Sequence, residues 1–598
     1  MPGIFGCQTN CLLGKNQNII PILSLNSNNF VPYNFNNEGY IHYLVDYEHK
    51  TKKNAYSTDG CSIIIYGNVY EYNGREVESK NIGKYLLDLY LKEGINILKE
   101  INGNFALSII DKGKTIIASD KMGSKNLFYY LNNKTVIYSS EIKPILENFK
   151  HKLQLNKESL LEFFGFSYML NNKTLYTEIE ILPPGTYMII EDNRFQKVKY
   201  FNLESKFTFS NDIDLDIKNL YNTFDGIIKK AIYLRIKNHQ KIGLMLSGGL
   251  DSRLLAIYTS KIAKKYNKEL IFYTFGTKGG WQEKIADEIS QKLNHKNYFY
   301  EISSESIKNY SEEVVYKGDG HIRIRDAHFI SHINQLKEQV DVVLMGIFCS
   351  ELFGEVLVEN VNEFKSKAEL IQKLFNIYSV KQKLKYLDKI FQEKYKIKDS
   401  LKKLHENFSN SIEQIQLKNP MNIADFWELY QRDRRYILQI PNYVNWYLEV
   451  KTPFLDENII DFAIQLPYEL RIRKTFIHQF LEAQYPEFAS ISYEKTGLSA
   501  NIFGFKLFES KLKRFIQKRL ILLIQKISFG KFKIRSKDYR AYNYLIRTGS
   551  KNFVEKALMQ EDTIFDSNLI HEIFTKHMRG SDNLDQLICD ILNIKLLN

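Results

Sequence analysis

A chain of 598 residues is long enough for more than one domain, and its 44 % hydrophobic and 14 % aromatic content fills sizeable cores. A formal charge of +13 raises nucleic acid or an acidic membrane surface as partners, but the lysines are spread along the chain without a run of five basic residues, which reads as coding bias. Five cysteines (Cys7, Cys11, Cys61, Cys349, Cys589), with no Cys-x-x-Cys pair, exclude a disulfide framework and a zinc ribbon.

The start, Met-Pro-Gly-Ile-Phe-Gly, lacks the basic and apolar regions of a signal peptide. No apolar stretch reaches the ~18 residues of a spanning helix, and Leu520 to Ile527 is interrupted by Gln525 and Lys526, so a cytoplasmic protein is expected. Residues 1 to about 200 read as β-rich. Short runs recur at Ser62–Tyr66, Phe105–Ile110, Thr115–Ala118, Phe128–Leu131, Val136–Ser139 and Tyr187–Ile190, separated by turns such as Asn132-Asn133 and Pro183-Pro184-Gly185. Stacked antiparallel sheets with a few helices, an α+β sandwich, follow from that spacing.

The polar stretch Asn202–Asp212 is the expected linker. Beyond it, amphipathic helices alternate with the short apolar strands Ile242–Leu246, Leu270–Phe275 and Val342–Met345, which predicts an α/β domain with a parallel sheet. From about residue 360 the pattern is helical. The expected domains are 1–201, 214–500 and a helical C-terminal extension over 501–598.

One motif carries chemistry on its own. Leu246-Ser247-Gly248-Gly249-Leu250-Asp251-Ser252 follows an apolar strand and opens the apolar helix Leu254–Ile262. Two glycines let the backbone approach an anion, successive N–H groups form a donor concavity, and the helix N-terminus adds positive potential. The hydroxyls of Ser247 and Ser252 suit phosphate oxygens. Asp251 repels bare phosphate, so its role is to hold Mg²⁺ that bridges phosphates. The pattern differs from the Gly-x-x-x-x-Gly-Lys-Ser/Thr loop and resembles the loop of enzymes that split ATP into AMP and pyrophosphate.

Further segments follow in an order that resembles the asparagine synthetase family over nearly the whole chain. They are Gly103-Asn104-Phe105-Ala106, Ser119-Asp120-Lys121-Met122-Gly123, Tyr138-Ser139-Ser140-Glu141-Ile142-Lys143, Leu182-Pro183-Pro184-Gly185, Glu449-Val450-Lys451-Thr452-Pro453-Phe454-Leu455-Asp456 and Glu494-Lys495-Thr496-Gly497-Leu498. The resemblance implies an Ntn-type glutamine amidotransferase fold followed by an ATP-pyrophosphatase-type synthetase domain. Lasso-peptide cyclases and β-lactam synthetases are relatives of the same scaffold.

Departures from the family pattern are as informative. The family's N-terminal cysteine nucleophile is here Pro2, and Cys7 has no free α-amine to replace it. In Tyr66-Gly67-Asn68-Val69-Tyr70 a tyrosine stands where the family has its oxyanion-stabilising asparagine, and no arginine lies between Gly39 and Gly60 to grip a glutamine carboxylate. The expectation is an amidotransferase-like domain that makes no ammonia.

In the second half, the resemblance places adenine and ribose against Leu246, Phe275 and Gly346. It assigns Lys495 as the catalytic lysine that balances pyrophosphate or oxyanion charge. Relatives carry Ser-Gly-Glu-Gly-Ala/Ser-Asp-Glu-Leu-Phe-Gly where this chain reads Met345-Gly346-Ile347-Phe348-Cys349-Ser350-Glu351-Leu352-Phe353-Gly354. Ile347 thus replaces the glutamate that handles ammonia, and Ser350 replaces a metal-binding aspartate. Metal holding falls to Asp251, with Ser350 or Glu351, although Glu351 also reads as a helix-start residue. Arg253 either adds charge beside the phosphates or is a solvated first-turn arginine. Arg323 and Arg325 either grip an anion or pair with Asp319 or Asp326. His321, His328 and His332 read as ordinary histidines.

These readings predict an ATP- and Mg²⁺-dependent, AMP-forming carbon–nitrogen ligase. Three versions stay open: asparagine formation from aspartate and free ammonia, amide or macrolactam formation on a peptide or amino-acid-derived carboxylate with another amine, and a non-catalytic nucleotide-binding scaffold. Expected partners are the carboxylate and an amine or ammonia, with a second copy of the chain or a precursor peptide beside them. Neither nucleic acid nor a membrane is expected.

Overall fold

The computed structural model describes residues 3–8, 30–37, 40–132, 135–149, 153–191, 194–207, 216–354, 364, 366–494, 499, eight positions between 512 and 527, and 541–597. Lys495, Pro2 and Cys11 lie outside the described residues, as does the linker beyond residue 207.

The N-terminal half stacks two antiparallel sheets. One runs Ile179–Ile181, Phe128–Asn132, Thr135–Ser139, Gly3–Gln8, Tyr40–Tyr47, Phe30–Asn37 in spatial order. The other runs Arg194–Lys199, Thr186–Glu191, Lys114–Ser119, Ile101–Asp111, Cys61–Tyr72, Ala55–Thr58, with Arg75–Glu76 paired to Cys61–Tyr72. Between the sheets lie Ile4, Leu44, Ile64, Ala106, Ile117, Tyr138 and Met188. Outside them, helix Ile82–Glu93 covers one sheet and helix Lys143–Phe149 the other, which gives four layers. Each predicted strand of this half is present. The strands at 3–8, 30–37, 40–47, 55–58, 75–76, 179–181 and 194–199 are additions.

A polar seam crosses this sandwich. His42 bonds to Ser62 Oγ at 2.7 Å and Ser108 Oγ at 3.3 Å, and Ser108 bonds to the Tyr138 hydroxyl at 2.6 Å. Burial drives the His42 pKa down to about 3 and that of His577, in the C-terminal helices, also to about 3. A histidine held neutral in the fold gives stability that is intact above the unfolded pKa of about 6.5 and lost as pH falls toward the folded value. Unfolding free energy from urea titrations should therefore be flat above pH ~6.5 and fall below it, by up to about 1.4 kcal/mol per pH unit for each such histidine. A His42→Gln variant should show the shallower slope.

In the C-terminal half, five strands form one parallel sheet: β1 (Lys241–Met245), β2 (Glu269–Gly276), β3 (Asn297–Glu301), β4 (Val342–Leu344) and β5 (Val450–Lys451), in the order β3-β2-β1-β4-β5. The chain leaves β1 toward β2 and β3, then crosses back to β4. That reversal opens a crevice between the carboxyl ends of β1 and β4, the place where open α/β sheets hold ligands.

One continuous core spans Phe224 to Ile594 and also takes in Leu160, Phe163, Phe164 and Phe166 from helix Lys157–Phe166. The helices beyond residue 541 belong to that core: Lys383 pairs with Asp590 at 2.6 Å, both buried, and Phe391 stacks on Phe565. The described final helices of the 501–598 extension therefore pack into the same core as the residues before it.

The segment Glu449–Asp456 is a joint between the halves. Glu449 accepts from Lys50 at 2.8 Å and Lys451 at 2.6 Å, and Lys451 also reaches Asn68 at 2.6 Å. Asp456 pairs with Arg235 at 2.9 Å, and Arg235 stacks on the Tyr70 ring at 4.2 Å. Lys143 bridges Glu141 and Asp319, each at 2.9 Å. These buried ions hold the sandwich against the edge of the sheet next to the crevice.

Candidate active site

The loop after β1 is built as the glycine pattern requires. Ser247 N donates to Ser252 Oγ at 3.0 Å, Gly249 N donates to Ser247 Oγ at 3.1 Å, and the two hydroxyls meet at 2.9 Å. The serines thus brace the turn rather than project from it. Helix α1 (Leu250–Lys265) starts at Gly249, which offers no side-chain cap to the first N–H groups. Those donors and the helix dipole suit an anion. After β4, Gly346 sits where an added Cβ would be 3.2 Å from Ser252 N, so glycine lets the second loop close on the first turn of α1.

Asp251, in that first turn, has both oxygens engaged. Lys474 Nζ donates to Oδ1 at 2.6 Å and Ser350 Oγ donates to Oδ2 at 2.5 Å. The Lys474 side chain is only 3 % exposed. It stands on a left-handed backbone (φ 59°), as does Arg473 (φ 55°), and Arg473 N is tied to Gly354 O at 2.9 Å. Phe348, where relatives of the resembled family carry glycine, is fully buried with φ 82°. Non-glycine residues in such conformations cost on the order of 1–3 kcal/mol each and cluster where function constrains the chain. Three of them flank the Asp251–Lys474–Ser350 contact.

A group of buried charges adjoins this contact through Glu351, which follows Ser350 and whose pKa is raised by burial, against the pull of Arg432. Arg432 donates to Asp433 Oδ1 at 2.8 Å and Glu428 Oε1 at 3.3 Å. Burial lifts Glu428 to about 8 and moves Asp433 well up. Glu428–Ile437 is a π-helix, a distortion common at functional sites.

Not every candidate residue stands at the loop. Arg253 does not stand beside the phosphate loop's donors. It is fully buried, and its guanidinium donates to the carbonyls of Phe488 (2.9 Å), Ile491 (3.1 Å) and Ser492 (2.7 Å). It clamps the chain leading to Glu494, whose Cβ lies 2.8 Å from a Cβ built at Gly248. The segment that carries Lys495 therefore starts against the loop, while Lys495 itself is outside the described residues. Phe275 ends β2 inside an aromatic cluster with Tyr300, His328 and Phe329. Arg323 pairs with Asp326 at 2.7 Å and lies over the Tyr436 ring at 3.4 Å, so the local pairing is what forms. Arg325 faces Asp585 at 3.6 Å. His332 stacks on Tyr300 at 4.6 Å, the packing of an ordinary histidine. Among the described residues no group of three or more His, Cys, Asp or Glu is arranged to hold a metal by itself.

Lys474 was not legible as a site residue. No motif surrounds it. The available signal was a charged residue directly ahead of the apolar helix Thr475–Gln484.

In the N-terminal half, Gly67 takes φ 115° within strand Cys61–Tyr72, and an added Cβ would meet Asn104 O at 2.1 Å, so the strand has no room for a side chain there. Tyr66 beside it is buried between the sheets, with the Lys125 ammonium 5.3 Å over its ring. A phenol in that core offers no amide N–H to an oxyanion.

Two family models match the chain. A glutamine amidotransferase domain model covers residues 45–201, and an asparagine synthase model covers residues 223–597. Similar proteins include putative asparagine synthetase [glutamine-hydrolyzing] 1 of Methanocaldococcus jannaschii, 26 % identical over 53 % of this chain and 58 % of that protein. Asparagine synthetase [glutamine-hydrolyzing] 1 of Bacillus subtilis is 24 % identical over 52 % of this chain and 50 % of its own length. Asparagine synthetase [glutamine-hydrolyzing] 3 of the same organism is 21 % identical over 74 % of this chain and 75 % of that protein. The chain thus spans about half the length of the first two relatives.

Proposed function

This chain belongs to the asparagine synthase family, and from that premise we propose that it is a ligase that activates a carboxylate with ATP as an acyl-adenylate and passes the acyl group to a nitrogen nucleophile. The observation that carries this reading is the buried Lys474 ammonium set 2.6 Å from Asp251, beside an uncapped helix N-terminus in the crevice of the parallel sheet.

The N–H groups of the loop and of the first turn of α1 hold the β- and γ-phosphates. A carboxylate oxygen of the substrate attacks the α-phosphorus, the bond to the bridging oxygen breaks, and its electron pair leaves with pyrophosphate. The charge that grows on that group is met by Lys474, a fixed cation already inside the protein, which reorganises little as the bond breaks. The nitrogen then attacks the acyl carbon and AMP departs. Glu351 is assigned to take the proton the nitrogen loses, from its place next to Ser350. A divalent cation fits the mode that uses one or two carboxylates plus phosphate oxygens, with Asp251 and either Ser350 or Glu351 holding it. When bound it would supply Lewis-acid neutralisation of the phosphates.

The nitrogen source is argued from the other half. Pro2 replaces the nucleophile and Tyr66 fills the place of the oxyanion donor. Glutamate release from glutamine should stay at the uncatalysed background in a coupled glutamate dehydrogenase assay. Ammonia would then come from solution, and aspartate would be converted to asparagine. The same two departures, with Ile347 at the ammonia-handling position, favour a second reading in which the nucleophile is an amine on a peptide or amino-acid-derived substrate and the product an amide or lactam. Chromatography of nucleotides after turnover with ATP, aspartate and ammonium separates the readings. AMP appearing in step with asparagine supports the first. AMP only with peptide or β-amino-acid carboxylates supports the second. ADP in place of AMP removes the adenylate from the account.

A further inference from the structure

We infer that the Lys125 amine takes up carbon dioxide as a carbamate, in a small polar chamber between the two halves of the chain. Six lysines are buried among the described residues: Lys50, Lys125, Lys143, Lys383, Lys451 and Lys474. Five of them hold a carboxylate. Lys50 and Lys451 share Glu449, Lys143 bridges Glu141 and Asp319, Lys383 holds Asp590, and Lys474 holds Asp251. Lys125 is the exception. Its Nζ donates to Asn442 Oδ1 at 3.0 Å and stands 5.3 Å over the Tyr66 ring, with no described carboxylate in ion-pair range. A buried ammonium without a counter-ion is costly, and a neutral amine in its place is not. Burial first, and then the charge of Lys50, lower the Lys125 pKa to about 8.

The chamber suits the product. It measures about 20 Å³ and is lined by Lys125 with Asn68, Tyr70, Asn104, Ser124, Asn442 and Thr452. The rest of its wall is Leu, Pro and Val, and no Asp or Glu lines it. Such a space takes one or two water-sized groups and excludes a nucleotide. A carboxyl group bonded to Nζ starts at bonding distance, so it needs less room than a free oxyanion. Asn68 gives its Oδ1 to Lys451 at 2.6 Å, which leaves its amide N–H groups as donors, and Thr452 adds a hydroxyl. Four charged groups act on Lys125 from nearby: Lys50, Lys451, Asp46 and Asp120. Asp120 is already held by the N–H groups of Phe105, Met122 and Ser124, and Asp46 by that of Tyr47. Two lysines on the single Glu449 leave a positive excess that favours an anion. In the step itself, the amine lone pair attacks the carbon of CO2 and a C–N bond forms. One C=O π pair moves onto oxygen, and the nitrogen releases one proton to water. The N–H that remains keeps the bond to Asn442, and the carboxylate faces Asn68 and Thr452. Lys125 and Asn68 belong to the sandwich, Asn442 and Thr452 to the second half, so the adduct ties the halves together. The inference is independent of the chemistry proposed above.

The test is trapping. The full chain is held in isotope-labelled bicarbonate at pH ~8, alkylated with a trialkyloxonium salt that fixes carbamates as esters, digested, and read by mass spectrometry. At that pH half of a lysine with pKa about 8 is neutral, against on the order of 1 in 250 for an ordinary lysine. The labelled ester should therefore sit on the peptide that holds Lys125, at an occupancy at least about tenfold above any surface lysine. The Tm should rise with bicarbonate against the same ionic strength of chloride, and Lys125→Arg should lose both the ester and that rise. Because the trapped peptide is read in the unmodified chain, the result does not depend on how well the variant folds. Label confined to the N-terminal amine, or spread evenly over the lysines, overturns the inference. So does an equal rise in Tm with chloride and no ester, which would make the chamber a site for an anion held without a bond.

Discussion

Lys474→Met should lower the exchange of labelled pyrophosphate into ATP by about 10²–10³-fold, the usual effect of removing one preorganised electrostatic donor. The geometry gives the reason. The fold holds two consecutive non-glycine residues, Arg473 and Lys474, in the left-handed region and buries the lysine against Asp251. Strain of that kind persists only where surrounding structure enforces it. Lys474→Arg should fail to restore the rate, because a planar fork does not occupy the place of a compact ammonium. A merely structural lysine would give a different pattern: the rate of the folded fraction would stay near that of the unmodified chain. Measuring the rate against the folded fraction at each temperature separates the two.

Asp251→Ala should abolish the exchange to below about 10⁻³ of the starting rate, since it removes the carboxylate that both aligns Lys474 and fits the cation. It also removes an ion-pair partner of the buried Lys474 ammonium, a loss that costs about 3–5 kcal/mol for a fully buried pair and less here because the Asp251 side chain is 18 % exposed. Asp251→Asn keeps an acceptor for Ser350 but carries no charge. It should recover part of the stability in urea titrations and none of the exchange. Recovery of exchange in Asp251→Asn would mean that shape rather than charge is what the position contributes.

How far the sequence spoke for the molecule depended on distance along the chain. The loop was legible because its glycines, its strand and its helix are contiguous, and the serine hydrogen bonds that brace it join residues within 247–252, although Glu494 N also donates to Gly248 O at 3.3 Å from far along the chain. The short alternating strands were legible for the same reason. Lys474 was not, because its partner is 223 residues away and nothing local marks it. Lys495, by contrast, sits in a motif that marks it. Glu449, Lys451 and Asp456 were read as part of the synthetase segment, yet the fold spends their charge on Lys50, Asn68 and Arg235 at the joint between the halves. A charged residue in a motif does not declare whether it serves a ligand or a neighbouring layer. Arg253 shows the same limit: beside the loop in sequence, it turns inward to three carbonyls.

The most direct measurement is the exchange of labelled pyrophosphate into ATP by the unmodified chain, run with aspartate, with β-amino acids and with peptide carboxylates without added ammonium or any other acceptor amine. Label should enter ATP with one of these classes and depend on added Mg²⁺. Silence with every carboxylate, from a protein that nevertheless binds ATP tightly, would leave a nucleotide-binding scaffold and contradict the ligase.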